Sequence, residues 1–376
     1  MPKRPGRRRK KMRNYKVLLS SLLVAGVGIS LLTGCQGGQT SGGSSEATEK
    51  ETSAQGSVAE NDMVVGMIAN AFGTQSYNDD VLAGLQLAEK ELGVKGIPLE
   101  VPEISDSANS LRTLISQGAN FIMVPSSEYK DGMLEVAAEN PDVKFLYLAE
   151  AIEGGGNIMS VAYRENEAAF LGGALAGLMT KTNNVGAVLA IGETLQYRYQ
   201  FGFTAGVKAV NEASEVQTAF TNSYKDVGQG SEVAKIMYNK GADIIGTYSG
   251  ACNLGVFNAA KDAGDGYYCL GAANGQFDKM PDKIIASVVK PADQAILSIL
   301  QEYQETGIFD TSEPMSLGLK EGGVKLLFTD NEELLKLIPE EVRSAIKDLT
   351  SKVESGEIQV PATEEEYNRF TYRYGK

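Results

Sequence analysis

Val64 to Gly93 reads VVGMIANAFGTQSYNDDVLAGLQLAEKELG. VVGMIA is an apolar run of strand length. The residues from Ala71 to Ser76 are mostly small or polar, and Gly73 lacks the Cβ that restricts other residues. Asp79 and Asp80 stand where they can cap a following helix. Leu82, Leu85, Ala88 and Leu92 recur at helical spacing, and Gly93 supplies a stop. The stretch therefore predicts a strand, a turn and an amphipathic helix. In an open α/β sheet ligands sit beyond the carboxyl ends of the strands. Asn70 to Asp79 is thus the first place to look for function.

Outward from this unit the alternation continues. Strands are predicted at 97–104, 121–125, 144–149 and 158–163, with helices from Ser107 or Ser110 and from Asp131 to Asn140. A second series follows, with strands at 184–192, 216–220, 243–250, 267–272 and 284–290. Its helices are predicted at 166–179, 198–212, 231–239, 255–263 and 292–306, and a charged helical region at 332–356. Repeated strand–helix units imply parallel sheets covered by helices on both faces. Two sets of about five strands imply two lobes.

Composition removes several functions. The 376 residues include no His and no Trp, so a Ser-His-Asp arrangement and a His-based zinc site are impossible. Three Cys encode no disulfide framework, although Cys252 and Cys269 leave one pairing open. Nine of the 35 basic residues precede Val17, and no acidic residue does. From Cys35 onward 26 basic residues face 48 acidic ones, a formal −22, which argues against nucleic acid as a partner.

The N-terminus looks like an address and an anchor. A basic segment from Lys3 to Lys16 precedes the apolar VLLSSLLVAGVGISLL, which ends in Leu32-Thr33-Gly34-Cys35. This order resembles a bacterial lipobox, in which the Cys is acylated and becomes the mature N-terminus. Residues 1–34 then form a signal peptide, with Met1 or Met12 as the start. Residues 35–62, rich in Gly, Ser, Thr and Glu, form a tether with little to bury.

Each candidate for chemistry has a plain structural reading beside it. Cys252 in GACNLG is loosely like a nucleophile elbow, but without a His base a small buried thiol is the better reading. Gly228-Gln229-Gly230 is either a weak phosphate loop or a flexible helix entry. The acidic groups at 332–333 and 364–366 lack calcium-loop spacing and read as solvated faces. Tyr77 and Tyr224 each follow a predicted strand, one per lobe. Each either stacks on a planar ligand or packs on its own helix. Lys290 either points into a cleft or meets solvent at its strand end.

Six segments, in order, are similar to one family. These are SYNDDVLAGL (76–85), ENEAAFLGGALAGLMTKTNNVGAVLAIG (165–192), YRYQFGFTAGVKAVN (197–211), SEVAKIMYNKGADII (231–245), IIASVVKPADQAI (284–296) and SGEIQVP (355–361). From Val64 to Pro361 the chain resembles the basic-membrane-protein family of bacterial lipoproteins. Its members are substrate-binding proteins of ABC importers, some of them for purine nucleosides. The resemblance implies a type I periplasmic-binding-protein fold, with two doubly wound parallel-sheet lobes joined by a three-crossover hinge. The implied lobes are 63–162 plus 274–312, and 163–273 plus 313–350. The tail 351–376 lies back across both.

The resemblance also implies a ligand set. Tyr77 and Asn78 match the family's turn, Tyr224 its second-lobe aromatic, Lys290 its donor, and Glu150 a position usually held by Asp. Where the family carries further acids this chain has Asn70, Thr74, Ala273 and Gly275, with Asn274 between the last two. A carboxylate suits a ribose diol, and losing such a charged acceptor costs about 1.5–3 kcal/mol per bond. Either Glu150, Asn70 and Asn274 recover the sugar contacts, or the solute is not an ordinary ribonucleoside. The implied protein is a monomer and not an enzyme. It needs no cofactor or metal, binds no nucleic acid, and partners an ABC permease at the extracytoplasmic face of the cell membrane. A sensor of the same fold, signalling to a membrane partner, is the alternative output.

Overall fold

The computed structural model describes residues 63–73, 76–153, 155–273 and 275–375. The signal peptide, Cys35 and the tether, as well as Thr74 and Asn274, lie outside the described residues.

The opening stretch forms β1 (Val64–Ala69) and α1 (Tyr77–Leu92). All of β1 but Val64 is buried, as a strand covered on both faces requires. The helix starts one turn earlier than Asp79 and Asp80 suggested, because Ser76 is its N-cap. Asp79 instead accepts a hydrogen bond from the Ser76 N–H at 3.2 Å, completing a capping box, and Asp80 turns inward. The chain continues through β2 (Lys95–Glu100), α2 (Ser107–Ser116), β3 (Phe121–Val124), α3 (Lys130–Glu139), β4 (Lys144–Tyr147) and β5 (Ile158–Tyr163). These strands pair in parallel.

The second series comprises α4 (Glu165–Met179), β6 (Asn184–Leu189), α5 (Thr194–Val210), β7 (Glu215–Phe220), α6 (Val227–Asn239) and β8 (Ile244–Tyr248). It ends with α7 (Asn253–Ala263), β9 (Tyr268–Ala273) and β10 (Ile284–Val289). After these come α8 (Ala292–Thr306), β11 (Met315–Leu317), β12 (Lys325–Phe328), α9 (Glu332–Lys336), α10 (Glu340–Glu354) and α11 (Glu364–Arg369).

Two six-stranded sheets result. One runs β11-β5-β4-β3-β1-β2, the other β12-β10-β9-β8-β6-β7, and among the described strands only the β10–β12 pair is antiparallel. This corrects the lobe boundaries implied by resemblance. β10 pairs with β9 and stays in the second sheet, so the chain returns to the first lobe after Val289 rather than at 274. β11 pairs with β5 and keeps residues beyond 312 in the first lobe. The crossovers are therefore Arg164, Lys290–Pro291 and 318–324.

Arg164 fastens the first crossover to the third. Its N–H donates to the Leu317 carbonyl at 2.8 Å, its Nη1 to Ser316 Oγ at 2.9 Å, and its guanidinium also pairs with Glu167 and Glu321. The tail lies on the second lobe, not across both. Asn166 Nδ2 donates to the Val360 carbonyl, Phe370 meets Phe170 edge-on, and the Tyr374 N–H donates to the Ala209 carbonyl. Beneath it α4 and α5 cross in near backbone contact. A Cβ added at Gly173 or Gly206 would fall 2.0 Å from a carbonyl oxygen of the facing helix.

Candidate functional site

At the end of β1, Asn70 Oδ1 accepts from Asn78 Nδ2 at 2.7 Å. Gly73 has φ +74°, and its N–H donates to Asp79 Oδ1 at 2.7 Å. The turn is thus drawn onto the first helical turn by its own side chains. Tyr77 is half-buried; its hydroxyl donates to the Leu148 carbonyl at 3.3 Å, and its ring meets Tyr163 edge-on at 6.1 Å. The Lys290 ammonium lies 3.9 Å from the centre of the Tyr77 ring.

Lys290 does not meet solvent. It is 7 % exposed and pairs with Glu165 Oε1 at 3.4 Å. Glu165, fully buried at the start of α4, also takes Arg198 Nε at 2.7 Å. Arg198 reaches over to the Ala149 carbonyl of the first lobe at 3.5 Å. Burial lowers the Lys290 pKa, while the Glu165 carboxylate opposes that shift. Asp80 lies in the same surroundings. Burial pushes its carboxyl up to about 8, and Lys290 pulls the other way. Its Oδ2 meets no hydrogen-bond partner among the described residues.

On the second lobe, Tyr224 Oη donates to Glu193 Oε1 at 2.5 Å and accepts from Gln196 Nε2 at 3.1 Å. Gln196 is itself held by the Ala190 N–H at 3.1 Å. Burial raises the Tyr224 phenol pKa, with the Glu193 charge adding to it. The lobes touch here. Ser127 Oγ of the first lobe donates to Glu193 Oε2 at 3.2 Å, and Lys225 Nζ of the second donates to the Pro102 carbonyl at 2.8 Å.

Of the residues singled out in the sequence, Tyr77 and Lys290 come together, as do Asn70 and Asn78. Glu150 pairs instead with Lys130 at 2.8 Å. Tyr224 joins the Glu193 chain, and no ring contact joins it to Tyr77 among the described residues. Ala273 and Gln276 take left-handed backbone conformations, φ +53° and +57°. Gln276 Oε1 ties that turn to Asn253 Nδ2 and to the Ala272 N–H. Glu165, Glu193, Gln196, Arg198 and Ser127 escaped the reading of the sequence. Glu165 and Arg198 lie in quoted motifs, but nothing local signals that they pair.

The remaining candidates resolve as packing. Gly228-Gln229-Gly230 opens α6, and the Asp226 carboxylate already accepts from the Gln229 N–H at 3.0 Å, where a phosphate would have to bind. Gly230 is needed because a Cβ there would lie 2.1 Å from the Cys252 carbonyl. Cys252 and Cys269 are both free and buried, and burial raises both thiol pKa values. No cluster of three metal-ligating side chains occurs among the described residues, and no helix there is long and apolar enough to cross a membrane. A groove of about 400 Å³ lies between the crossovers and the tail, lined by Arg164, Glu167, Lys320 and Glu354, away from the residues above.

Comparison with known proteins agrees with this architecture. Residues 62–364 match the family model for PnrA-like ABC transporter substrate-binding proteins. Basic membrane protein A1 of Borrelia garinii subsp. bavariensis is 29% identical over 309 residues, covering 81% of this chain and 89% of that protein. A CD4+ T-cell-stimulating antigen of Listeria monocytogenes serovar 1/2a is 27% identical over 369 residues, covering 93% of this chain and 99% of that protein. Among solved structures, an ABC transporter solute-binding protein from Aeropyrum pernix K1 superposes with a TM-score of 0.71 at 23% identity, covering 82% of this chain and 96% of that one. The fold is the two-lobed type I periplasmic-binding-protein fold.

Proposed function

The chain belongs to the PnrA-like, or basic-membrane-protein, family of ABC transporter substrate-binding proteins, and from that membership we propose that it is a lipid-anchored monomer that captures a nucleoside-like solute between its lobes and delivers it to a permease. Membership itself makes it an extracytoplasmic binding protein for a small solute with permease partners. The anchor and the nucleoside are our own reading. Cys35, after the apolar run ending in Leu32-Thr33-Gly34, supports the anchor, and two acyl chains hold a protein stably where one does not.

One observation carries the reading of the ligand site. Polar groups of both lobes meet across the seam, the Ser127 hydroxyl on the Glu193 carboxylate and the Lys225 ammonium on the Pro102 carbonyl, close to Tyr224. A closing hinge puts such groups around a buried solute. In this proposal the Tyr77 and Tyr224 rings flank the planar part. Asn70, Thr74, Asn78, Glu150 and Asn274 read its polar edges. Lys290, seated on Tyr77 and paired with Glu165, fixes the first ring as well as supplying charge. The protein transforms nothing and needs no cofactor.

The test is to purify the full chain from its own host, denature it, and identify the released small molecule by mass spectrometry. A purine or pyrimidine nucleoside is the predicted result. An amino acid or a simple sugar in equimolar amount contradicts the nucleoside reading and leaves the family role intact.

A further inference from the structure

Glu193 directly follows the exposed Gly192 and immediately precedes α5, and it is half-buried at the seam. The other acids at the seam are already engaged. Glu150 pairs with Lys130, and Glu165 with Arg198 and Lys290. Glu128 takes the Ser126 hydroxyl, and its pKa is raised by burial and by the Glu193 charge while Lys225 lowers it. Glu193 has no cation within ion-pair distance among the described residues. Its donors are two neutral hydroxyls, Tyr224 Oη on Oε1 and Ser127 Oγ on Oε2.

An ionised carboxylate offers about four acceptor sites, and these two bonds fill only half of them. The Tyr224 bond is preorganised, because Gln196 and the Ala190 N–H hold the phenol from behind. The Ser127 bond is different: it comes from the opposite lobe and is longer. Both donors that Glu193 takes are neutral hydroxyls, and the nearby cations Lys130 and Arg198 are already matched by Glu150 and Glu165. What the free acceptor sites fit is a neutral donor pair, such as adjacent hydroxyls.

We propose that Glu193 is a specificity-determining residue, a carboxylate that accepts hydrogen bonds from the hydroxyls of the solute's sugar, and that Ser127 Oγ stands where one ligand hydroxyl goes. The inference rests on the nucleoside-like reading above. It adds a second-lobe acid outside the residues singled out by sequence.

The test measures dissociation constants of the full chain and its Glu193→Gln and Ser127→Ala variants by calorimetry, with adenosine, uridine and their 2′,3′-dideoxy analogues. Losing a hydrogen bond to a charged acceptor weakens binding about tenfold or more. Glu193→Gln is expected to weaken a bound ribonucleoside by at least about that factor and its dideoxy analogue by less than about threefold. Ser127→Ala is expected to leave ribonucleoside binding unchanged or tighter, because a competing hydroxyl is removed. Equal losses for ribo and dideoxy ligands in Glu193→Gln, or weaker ribonucleoside binding in Ser127→Ala, make the pair a mere latch between lobes and overturn the inference. A wild-type chain that binds none of the four overturns the nucleoside reading and the inference with it.

Discussion

Asp80 is buried beside Lys290, and burial pushes its carboxyl up to about 8. A carboxyl whose folded pKa exceeds its unfolded value of 3.8 favours the folded state while protonated. That stabilisation is complete below the unfolded value and is lost as pH rises through about 8. Asp80→Asn is therefore expected to raise the unfolding midpoint relative to wild type at about pH 9 and to change it little at about pH 4. Thermal unfolding at the two pH values checks this, and an equal shift at both contradicts it. Glu165→Gln is the opposite case. It leaves Lys290 and Arg198 buried with only a neutral partner, and breaking such a cluster costs about 3–5 kcal/mol. Urea unfolding reads that loss directly. Tyr77 and Lys290 drew attention in the sequence because each falls at a strand end, and Asn78 only through the family resemblance. The Glu165 pairs were not legible. Arg198 and Lys290 lie 33 and 125 positions away along the chain, and only the fold brings them together. Glu193 was hidden for the same reason, as its partners come from two lobes.

Among the elements, the crossing of α4 and α5 depends on glycine. Gly173 faces the Phe203 carbonyl and Gly206 the Phe170 carbonyl, each with no room for a methyl group. Gly206→Ala is expected to destabilise the chain by about 1–3 kcal/mol or more, since backbone rather than a flexible side chain must move. Equilibrium unfolding in urea measures it, and a loss under about 0.5 kcal/mol contradicts the account of the crossing. The run GGALAG at 172–177 lets α4 approach α5 this closely, because its small residues leave room for the facing backbone. Most strands of the two series were readable as apolar runs bounded by turns, but the one expected at 97–104 is β2 at 95–100, and Ile104 already opens a 3-10 turn. β11 and β12 were not readable, for they span three and four residues and are only partly buried. The charged helical region expected over 332–356 is divided into α9 and α10, because Pro339 caps the second helix and would break a continuous one. The misplaced lobe boundary has the same origin. Strand β10 is buried throughout, and pairing partners, not composition, decide which sheet holds it.

At the scale of the molecule, two lobes hinge on three crossovers, and Arg164 ties the first to the third. Lys225 bonds from the second lobe to the Pro102 carbonyl of the first. Lys225→Ala is expected to weaken every ligand by a similar factor of a few, about what one hydrogen bond to a charged group contributes when partly solvated. Calorimetry across several ligands checks the uniformity, and a loss confined to one of them contradicts it. Cys35→Ala is expected to move the protein from the membrane to the soluble fraction, which fractionation of the host cells reads. The central claim is that this binding protein holds a nucleoside-like solute between its lobes, against Tyr77. Calorimetric titration of the full chain and its Tyr77→Ala variant with a panel of purine and pyrimidine nucleosides tests it most directly. The account predicts one-site binding of at least one nucleoside by the wild type, weakened about tenfold or more in the variant. No binding by any nucleoside, or undiminished binding by Tyr77→Ala, would contradict it.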